Sequence, residues 1–431
     1  MSDDSRNGGR HDPERRPRDW TDDWESGRMI PRWAPHEPDE SRDQFVAHDE
    51  QKRPKDVTFP PSKLRDSGQT FWRAAQLEAI AKNFTTTTLN KSTFVICERN
   101  DAYKEHPLIY VKLVPDARMI VITDTGADTA ANASGKPDPK LRTRLRQYLE
   151  HCNIPANNDQ PLNPVGKGQS AYTIITSHCH YDHTLGIPQF LSPSTHIISS
   201  AAGRHFIESD FYHHGLFDLV GRSAPSYTVT DYVESFEHRK DLNVTFIQTP
   251  GHTPDSLAWY DHSESHLYVG DSFYRIGDDG MPILFTSEGN LVEWVFSMQK
   301  LAVFVKGENK RLAKQHEEGF VLEEDWVDVS EEPPRVKVSC GHQTFGEDAE
   351  EVLKELEAFS FRCFIGKVPV VRSGVIKEVM DLYAEEDTPV RLGVPRRLMT
   401  EARRFLGHDQ DLHGQPNEGG SKKWAGLRWW E

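Results

Sequence analysis

The sequence predicts an α/β protein in which two packed sheets carry helices on their outer faces. Three observations point to it. Short β-branched runs bounded by turn residues outnumber helical stretches. The helices punctuate the strands through both halves instead of gathering at one end. Four of the strands end on a side chain of the metal-ligand type, at the positions where side chains can converge without breaking a ladder.

Residues 1–65 are rich in Asp, Glu, Arg and Pro and show no sustained period, so they read as a disordered or loosely docked arm. Trp20, Trp24 and Trp33 give that arm something to dock with. A catalytic domain is expected over 66–366. It opens with a helix in FWRAAQLEAIAKNF, Phe71 to Phe84, and continues with strands in STFVICER, PLIYVKLV and RMIVITDTGA. PKLRTRLRQYLEHCNI spaces its apolar residues three and four apart, as a helix does. AYTIITSHCH is a strand, LGIPQFL begins a short helix, and THIISSAAGRHFI is a strand followed by a helix. NVTFIQTPGH, DSLAWYD and HLYVGDSF are three further strands, NLVEWVFSMQKLAVFVKG is an amphipathic helix, RVKVSCGH a strand and DAEEVLKELEAFSF a helix. The acidic run Glu317–Pro334 reads as an insertion between the last two strand ends. Residues 367–431 are expected to form a helical extension, with helices in GVIKEVMDLYAEE and PRRLMTEARRFL, followed by a polar tail. No 20- to 50-residue period repeats, which excludes a solenoid.

Composition narrows the classes of function. The chain has 431 residues, a formal net charge of -16 and 36% hydrophobic residues, with a mean hydropathy of -0.67. A protein that neutralises phosphates needs clustered Lys and Arg, so nucleic acid is not the expected partner. No apolar run approaches the roughly 20 residues that span a bilayer, and the N-terminus lacks a signal-type apolar core. Five scattered cysteines are poor material for a disulfide framework. A cytoplasmic enzyme acting on a small molecule is the expectation, with no membrane or nucleic-acid partner and its oligomeric state open.

The chemistry is concentrated in SHCHYDH. His178 and His180 alternate at a strand exit and can point to one side, while Asp182 and His183 follow where the chain turns. Imidazole nitrogens and carboxylate oxygens are zinc-type ligands at about 2.0–2.2 Å, and this spacing suits two ions. Three later strand ends offer the remaining ligands: His252 in QTPGHTPDS, Asp271 in YVGDSFY and His342 in SCGHQTF, each beside a glycine that lets the backbone turn tightly.

This HxHxDH cluster, with the later His, Asp and His and the upstream VITDTGA, resembles the metallo-β-lactamase-fold superfamily from about Thr93 to Phe361. The resemblance implies a four-layer αβ/βα sandwich bearing N- and C-terminal extensions. It implies one metal on His178, His180 and His252, a second on Asp182, His183 and His342, and Asp271 bridging them. Asp124 would hold the ligand loop from behind. Cys179 and Cys340 read as packing residues. The cofactors expected are two divalent ions, zinc first, with manganese or iron as alternatives sharing the same ligands. Water bridging two such ions ionises near neutral pH and gives a nucleophile without a serine or cysteine; no Gly-x-Ser-x-Gly elbow occurs in the sequence. Asp182 is also a candidate for moving a product proton.

Smaller signals address the substrate. Tyr274, three residues beyond Asp271, resembles a tyrosine of the acyl-homoserine lactonase branch that contacts the substrate carbonyl, where it would donate to an oxyanion. The aromatic and histidine-rich Ser209–Gly221 is expected as a pocket-lining loop, and Gly277–Asn290 as another part of the rim. The leading expectation is a hydrolase opening a lactone or a cyclic amide. A thioesterase of the glyoxalase II kind uses the same ligands but needs a basic patch, for which Lys306–Gln315 is the nearest candidate. A phosphodiesterase, a mononuclear iron enzyme and a non-catalytic scaffold are the remaining alternatives.

Overall fold

The computed structural model describes residues 66–132, 135, 137–138, 140–166, 168–277, 280–322 and 332–408. The N-terminal arm and the polar tail considered above lie outside them. The described chain divides into two compact units. One runs to Ser199 and includes Arg204–Val233; the other comprises Ser200–Gly203 and everything from Glu234 onward.

The first unit is built on a seven-stranded sheet, β1 (Phe84–Thr88), β2 (Thr93–Glu98), β3 (Leu108–Val114), β4 (Met119–Thr123), β5 (Ala171–Ile175), β6 (His196–Ser200) and β7 (Asp231–Val233), paired in sequence order. The β1–β4 portion is antiparallel, and β4, β5 and β6 run parallel. β2 is buried at every position, the pattern of a central strand covered on both faces. One face packs on α1 (Asp66–Ala81) and α2 (Leu145–His151) through Ile80, Phe84, Ile96, Ile109, Ile122, Leu145 and Leu149. The parallel strands leave the ends of β4 and β5 side by side, and the one-turn helix α3 (Tyr181–Thr184) follows β5 directly.

Ser209–Gly221 is not an open loop. After α4 (Arg204–Ser209) it forms the short helix α5 (Phe211–His214), and Leu216, Phe217 and Val220 are buried with Tyr103, Tyr181 and Leu185. Its aromatic content packs the back of the ligand loop, with the Phe211 and Phe217 rings 5.1 Å apart. His213 turns instead to Asp210, at 2.8 Å.

In the second unit the strands are β8 (His238–Arg239), β9 (Val244–Gln248), β10 (Leu257–Asp261), β11 (His266–Tyr268), β12 (Ile283–Leu284), β13 (Lys337–Ser339), β14 (Phe345–Asp348), β15 (Val370–Val375), β16 (Val379–Tyr383) and β17 (Leu392–Pro395). A six-stranded sheet has the order β14-β13-β11-β10-β9-β8, and a four-stranded sheet the order β12-β17-β16-β15. Helices α6 (Leu291–Leu322), α7 (Ala349–Phe364) and α8 (Arg396–Phe405) complete it. The start of the expected insertion is the last turn of α6, which runs on to Leu322.

The expected helix in GVIKEVMDLYAEE is a β-hairpin. Val370–Val375 pairs antiparallel with Val379–Tyr383, which in turn pairs with β17. Met380, Leu382 and Tyr383 are buried there, and β-branched valines dominate the outer strand. Three strands therefore lie between Val370 and Pro395, and among the described residues of the extension the helix is Arg396–Phe405.

Candidate metal centre

In the first unit the cluster leaves β5 at Ile175 and is gathered by Asp124. Asp124 sits just past β4 with φ +60°, a left-handed conformation that Asp tolerates because its short polar side chain bonds locally. Its carboxylate accepts from the Ser177 backbone N–H at 2.8 Å, the Ser177 hydroxyl at 2.7 Å and His183 Nδ1 at 2.9 Å. The last bond puts the proton of His183 on Nδ1 and leaves the Nε2 lone pair for an ion. Thr125 adds two bonds to the His183 carbonyl, from its N–H at 2.8 Å and its hydroxyl at 3.0 Å. Gly186 makes this approach possible: a Cβ there would lie 2.2 Å from the Thr125 carbonyl oxygen.

The donor atoms are buried and close. His178 Nε2 and His180 Nδ1 are 2.9 Å apart, and His183 Nε2 and Asp182 Oδ2 are 3.3 Å apart. Two donors on one tetrahedral ion at about 2.1 Å are separated by about 3.4 Å, so both pairs have the spacing of groups sharing an ion. Ser177 also meets His178 Nδ1 at 3.0 Å, which holds the first ring from behind.

The second unit brings His252, Asp271 and His342 together in the same way. Asp271 Oδ2 lies 3.2 Å from His342 Nε2 and 4.0 Å from His252 Nε2, facing both rings as a shared ligand must. Helix α6 fixes the first two of these loops. Its Trp294 indole donates to the Ser272 carbonyl at 2.6 Å, Ser297 donates to the Pro250 carbonyl at 2.7 Å, and Asn290 N–H donates to the Gly251 carbonyl at 2.7 Å. Gly251 has φ +150°, and a Cβ on it would stand 2.4 Å from Trp294 Cα. The His342 loop is tied to the Asp271 loop by Gly341 N–H donating to the Gly270 carbonyl at 2.7 Å.

Residues 173–355, which contain all seven of these side chains, match the model of the metallo-beta-lactamase superfamily. That match covers the part of the α/β fold that carries the donor side chains. A putative transcription factor, avaE, of Aspergillus versicolor is 28% identical over 295 residues, covering 67% of this chain and 78% of that protein. The mitochondrial hydroxyacylglutathione hydrolase of Saccharomyces cerevisiae is 29% identical over 115 residues, 25% of this chain and only 35% of the yeast enzyme. Among solved structures, a metallo-beta-lactamase family protein from Thermus thermophilus is 14% identical with a TM-score of 0.41, covering 69% of this chain and 86% of that one. A metallo-beta-lactamase from Pontibacter korlensis is 12% identical with a TM-score of 0.39, covering 63% and 95%.

The His and Asp groups have the chemistry and spacing to hold metal. Other expected residues fall elsewhere. Tyr274 is buried in the core, and its hydroxyl donates to the Pro282 carbonyl at 2.7 Å. Its ring stands 5.6 Å from that of His342, so it packs behind a ligand with its proton already engaged. Phe285, from the expected rim segment, faces His252 at 6.0 Å. Cys340 lies in the core, where burial and then the nearby Asp271 carboxylate push its thiol well above the usual range, away from the thiolate that binds metal. Cys179 is buried too. Among the described residues no helix is long and apolar enough to cross a membrane.

Ser177, Thr125 and Trp294 hold the loops of the candidate donors, and the sequence did not single them out. Ser177 had a signal, its place directly before the first ligand. Trp294 had none, because it acts from a helix over twenty residues past the loop it holds.

Two buried carboxylates hold loops by their backbone N–H groups, Glu98 the loop that follows Asp124 and Asp101 its own turn. Glu98 accepts from Ala127 N–H at 2.7 Å, and Asp101 from Tyr103 N–H and Glu105 N–H at 3.0 and 2.7 Å. Burial raises both, Glu98 well above the carboxylate range and Asp101 to about 6.

Proposed function

We propose that the chain is a metal-dependent hydrolase that opens a small cyclic ester or amide. In this reading His178, His180 and His252 would hold one divalent ion, Asp182, His183 and His342 would hold a second, and Asp271 would serve both. The observation that carries it is the orientation of the donors. Asp124 presents the Nε2 lone pair of His183, and Asp271 Oδ2 faces two imidazoles at once. When bound, such ions lower the pKa of water toward neutrality and polarise a carbonyl.

The protein's own part is to hold these donors and to handle protons. Asp182, whose Oδ2 is 3.3 Å from His183 Nε2, is the carboxylate we assign to take the proton lost by the attacking water and return it to the leaving oxygen or nitrogen. Tyr274 is left out of the reacting set because its hydroxyl proton is given to Pro282.

A thioesterase reading is the second possibility, favoured by the match to the yeast hydroxyacylglutathione hydrolase. It needs a basic patch, for which Lys306–Gln315 is the nearest candidate. That run lies within α6, and its Arg311 is paired with Glu308 at 2.8 Å. A nucleic-acid partner, suggested by the name of the Aspergillus relative, has the net charge of -16 against it.

The test is metal content by elemental analysis, paired with a panel of lactones, lactams and thioesters. About two equivalents of metal and ring opening are expected. His180→Ala should lose metal and hydrolysis together. Full hydrolysis by metal-free protein would end the proposal.

A further inference from the structure

Helix α6 is apolar on more sides than the core of its unit uses. Trp294, Val295, Met298, Leu301, Ala302 and Val305 are buried in that core. Phe296 and Val303 point elsewhere and are 44% and 61% exposed. With Gln299 and Lys300 they follow the i, i+3, i+4, i+7 spacing of a single helix face. Phe304 flanks that face, and Phe236, 53% exposed, stands 6.3 Å from the Phe304 ring. Lys300 turns its Nζ inward to the Gln248 carbonyl at 2.7 Å, so its methylene stem, more than its charge, lines the surface. The result is an apolar groove of about 490 Å³ bounded by these six residues. Apolar side chains gathered on one face give an apolar segment a place to dock.

The chain carries an occupant of the right chemistry at the right place. Helix α8 ends at Phe405, itself 52% exposed, whose ring is 6.1 Å from that of Phe296 in the groove. The described residues stop three positions later, at His408. Residues 409–431 then run polar as far as Lys423 and end in WAGLRWWE, with Trp424, Leu427, Trp429 and Trp430 close together. At roughly 3.3 Å per extended residue, the stretch from His408 to Trp424 can span about 50 Å, far beyond the ring contact beside which it starts. Closing a loop of that length costs little more than closing a short one. Charge agrees as well. Lys422, Lys423 and Arg428 flank the tail's aromatics. On the groove side Phe236 lies between Glu234 and Glu237, with Glu234 N–H donating to the Glu237 carboxylate at 3.1 Å.

We propose that Trp424–Trp430 of the same chain fills the groove between Phe236 and α6. The seat lies on the helix whose Trp294 and Ser297, with Asn290 just before its first residue, hold the His252 and Asp271 loops, so an occupied groove braces those loops from behind.

Limited trypsin digestion of the full-length protein tests this, with cleavage after Lys422, Lys423 and Arg428 followed by mass spectrometry. A free peptide of residues 409–431 sets the rate for an undocked tail. The full chain should be cut at least about tenfold more slowly, because cleavage tracks the opened population. Val303→Glu on one wall, Phe236→Ser on the other and Trp429→Ser in the tail should each restore the peptide rate. The two wall variants act independently, so a folding defect in one leaves the other as the test. Cleavage of wild type at the peptide rate would overturn the proposal. So would protection that survives both wall variants, protection lost on dilution, which would make a second copy the occupant, or protection lost on substituting Trp20, Trp24 and Trp33 but not Trp429.

Discussion

Replacing Asp124 with Asn isolates the orienting role of one buried carboxylate. Asn tolerates the +60° φ of this position, so the backbone need not move. Asp124 accepts three bonds, from Ser177 N–H, the Ser177 hydroxyl and His183 Nδ1, at 2.8, 2.7 and 2.9 Å. Asn has one carbonyl oxygen, which can keep the Ser177 N–H bond, and an NH2 group that donates. That NH2 opposes a protonated His183 Nδ1. The contact is relieved when His183 moves its proton to Nε2, which removes the lone pair an ion would use. Loss of such an orienting partner typically costs 10- to 100-fold in metal affinity, about 1.4–2.7 kcal/mol. The metal-free protein should lose less, since the substitution also removes a buried charge that has to be compensated. The assay is competition with a chelator of known affinity for wild type and Asp124→Asn, beside urea denaturation of both metal-free forms. One weakened ion and one nearly unchanged ion is the expected pattern. Equal affinity for both ions in the two proteins would refute the argument that Asp124 sets the His183 tautomer.

Three more outcomes follow from the same geometry. His266 is buried with its Nε2 at 2.7 Å from the Ser339 hydroxyl, and burial lowers it from 6.5 to about 3. Its contribution is present above pH 6.5 and is lost as pH falls through the window from 6.5 to 3, about 2 kcal/mol by pH 5; urea midpoints of the metal-free protein should show His266→Gln losing that much less on acidification, and an identical acid profile would contradict it. Gly251→Ala puts a Cβ 2.4 Å from the Trp294 backbone and should cost about 3 kcal/mol, read as a lower urea midpoint together with weaker metal retention; a midpoint unchanged from wild type would mean the loop can shift freely. Tyr274→Phe should leave turnover within about threefold, against the 100-fold or more that loss of an oxyanion donor costs, while the Pro282 carbonyl left without its partner lowers stability by about 1–3 kcal/mol; a large fall in turnover at unchanged stability would return Tyr274 to the reacting groups.

The sequence by itself placed the candidate donors, because a donor side chain at a strand end is a local event on it. SHCHYDH, PGH, VGD and CGH each pair a donor side chain with a strand end and a tight turn, and both signals lie within a few residues. It also determined most elements of the core, since strands such as TFVICE and helices such as AEEVLKELEAFSFRCF declare themselves by an apolar β-branched run or by a helical period. The tertiary structure decided three other matters. It turned GVIKEVMDLYAEE into a hairpin, because pairing with β17 outweighed a helical period that only long-range contacts can overrule. It packed Ser209–Gly221 beneath the ligand loop, since its aromatics found Tyr181 and Leu185 to bury against. It gave the Tyr274 hydroxyl to Pro282, a partner eight residues away whose carbonyl direction no sequence pattern encodes. Donor type is a property of a residue, and so it can be read along the chain. Whether a donor is spent on the protein or left for a ligand depends on which atoms face it, and only the folded chain fixes that.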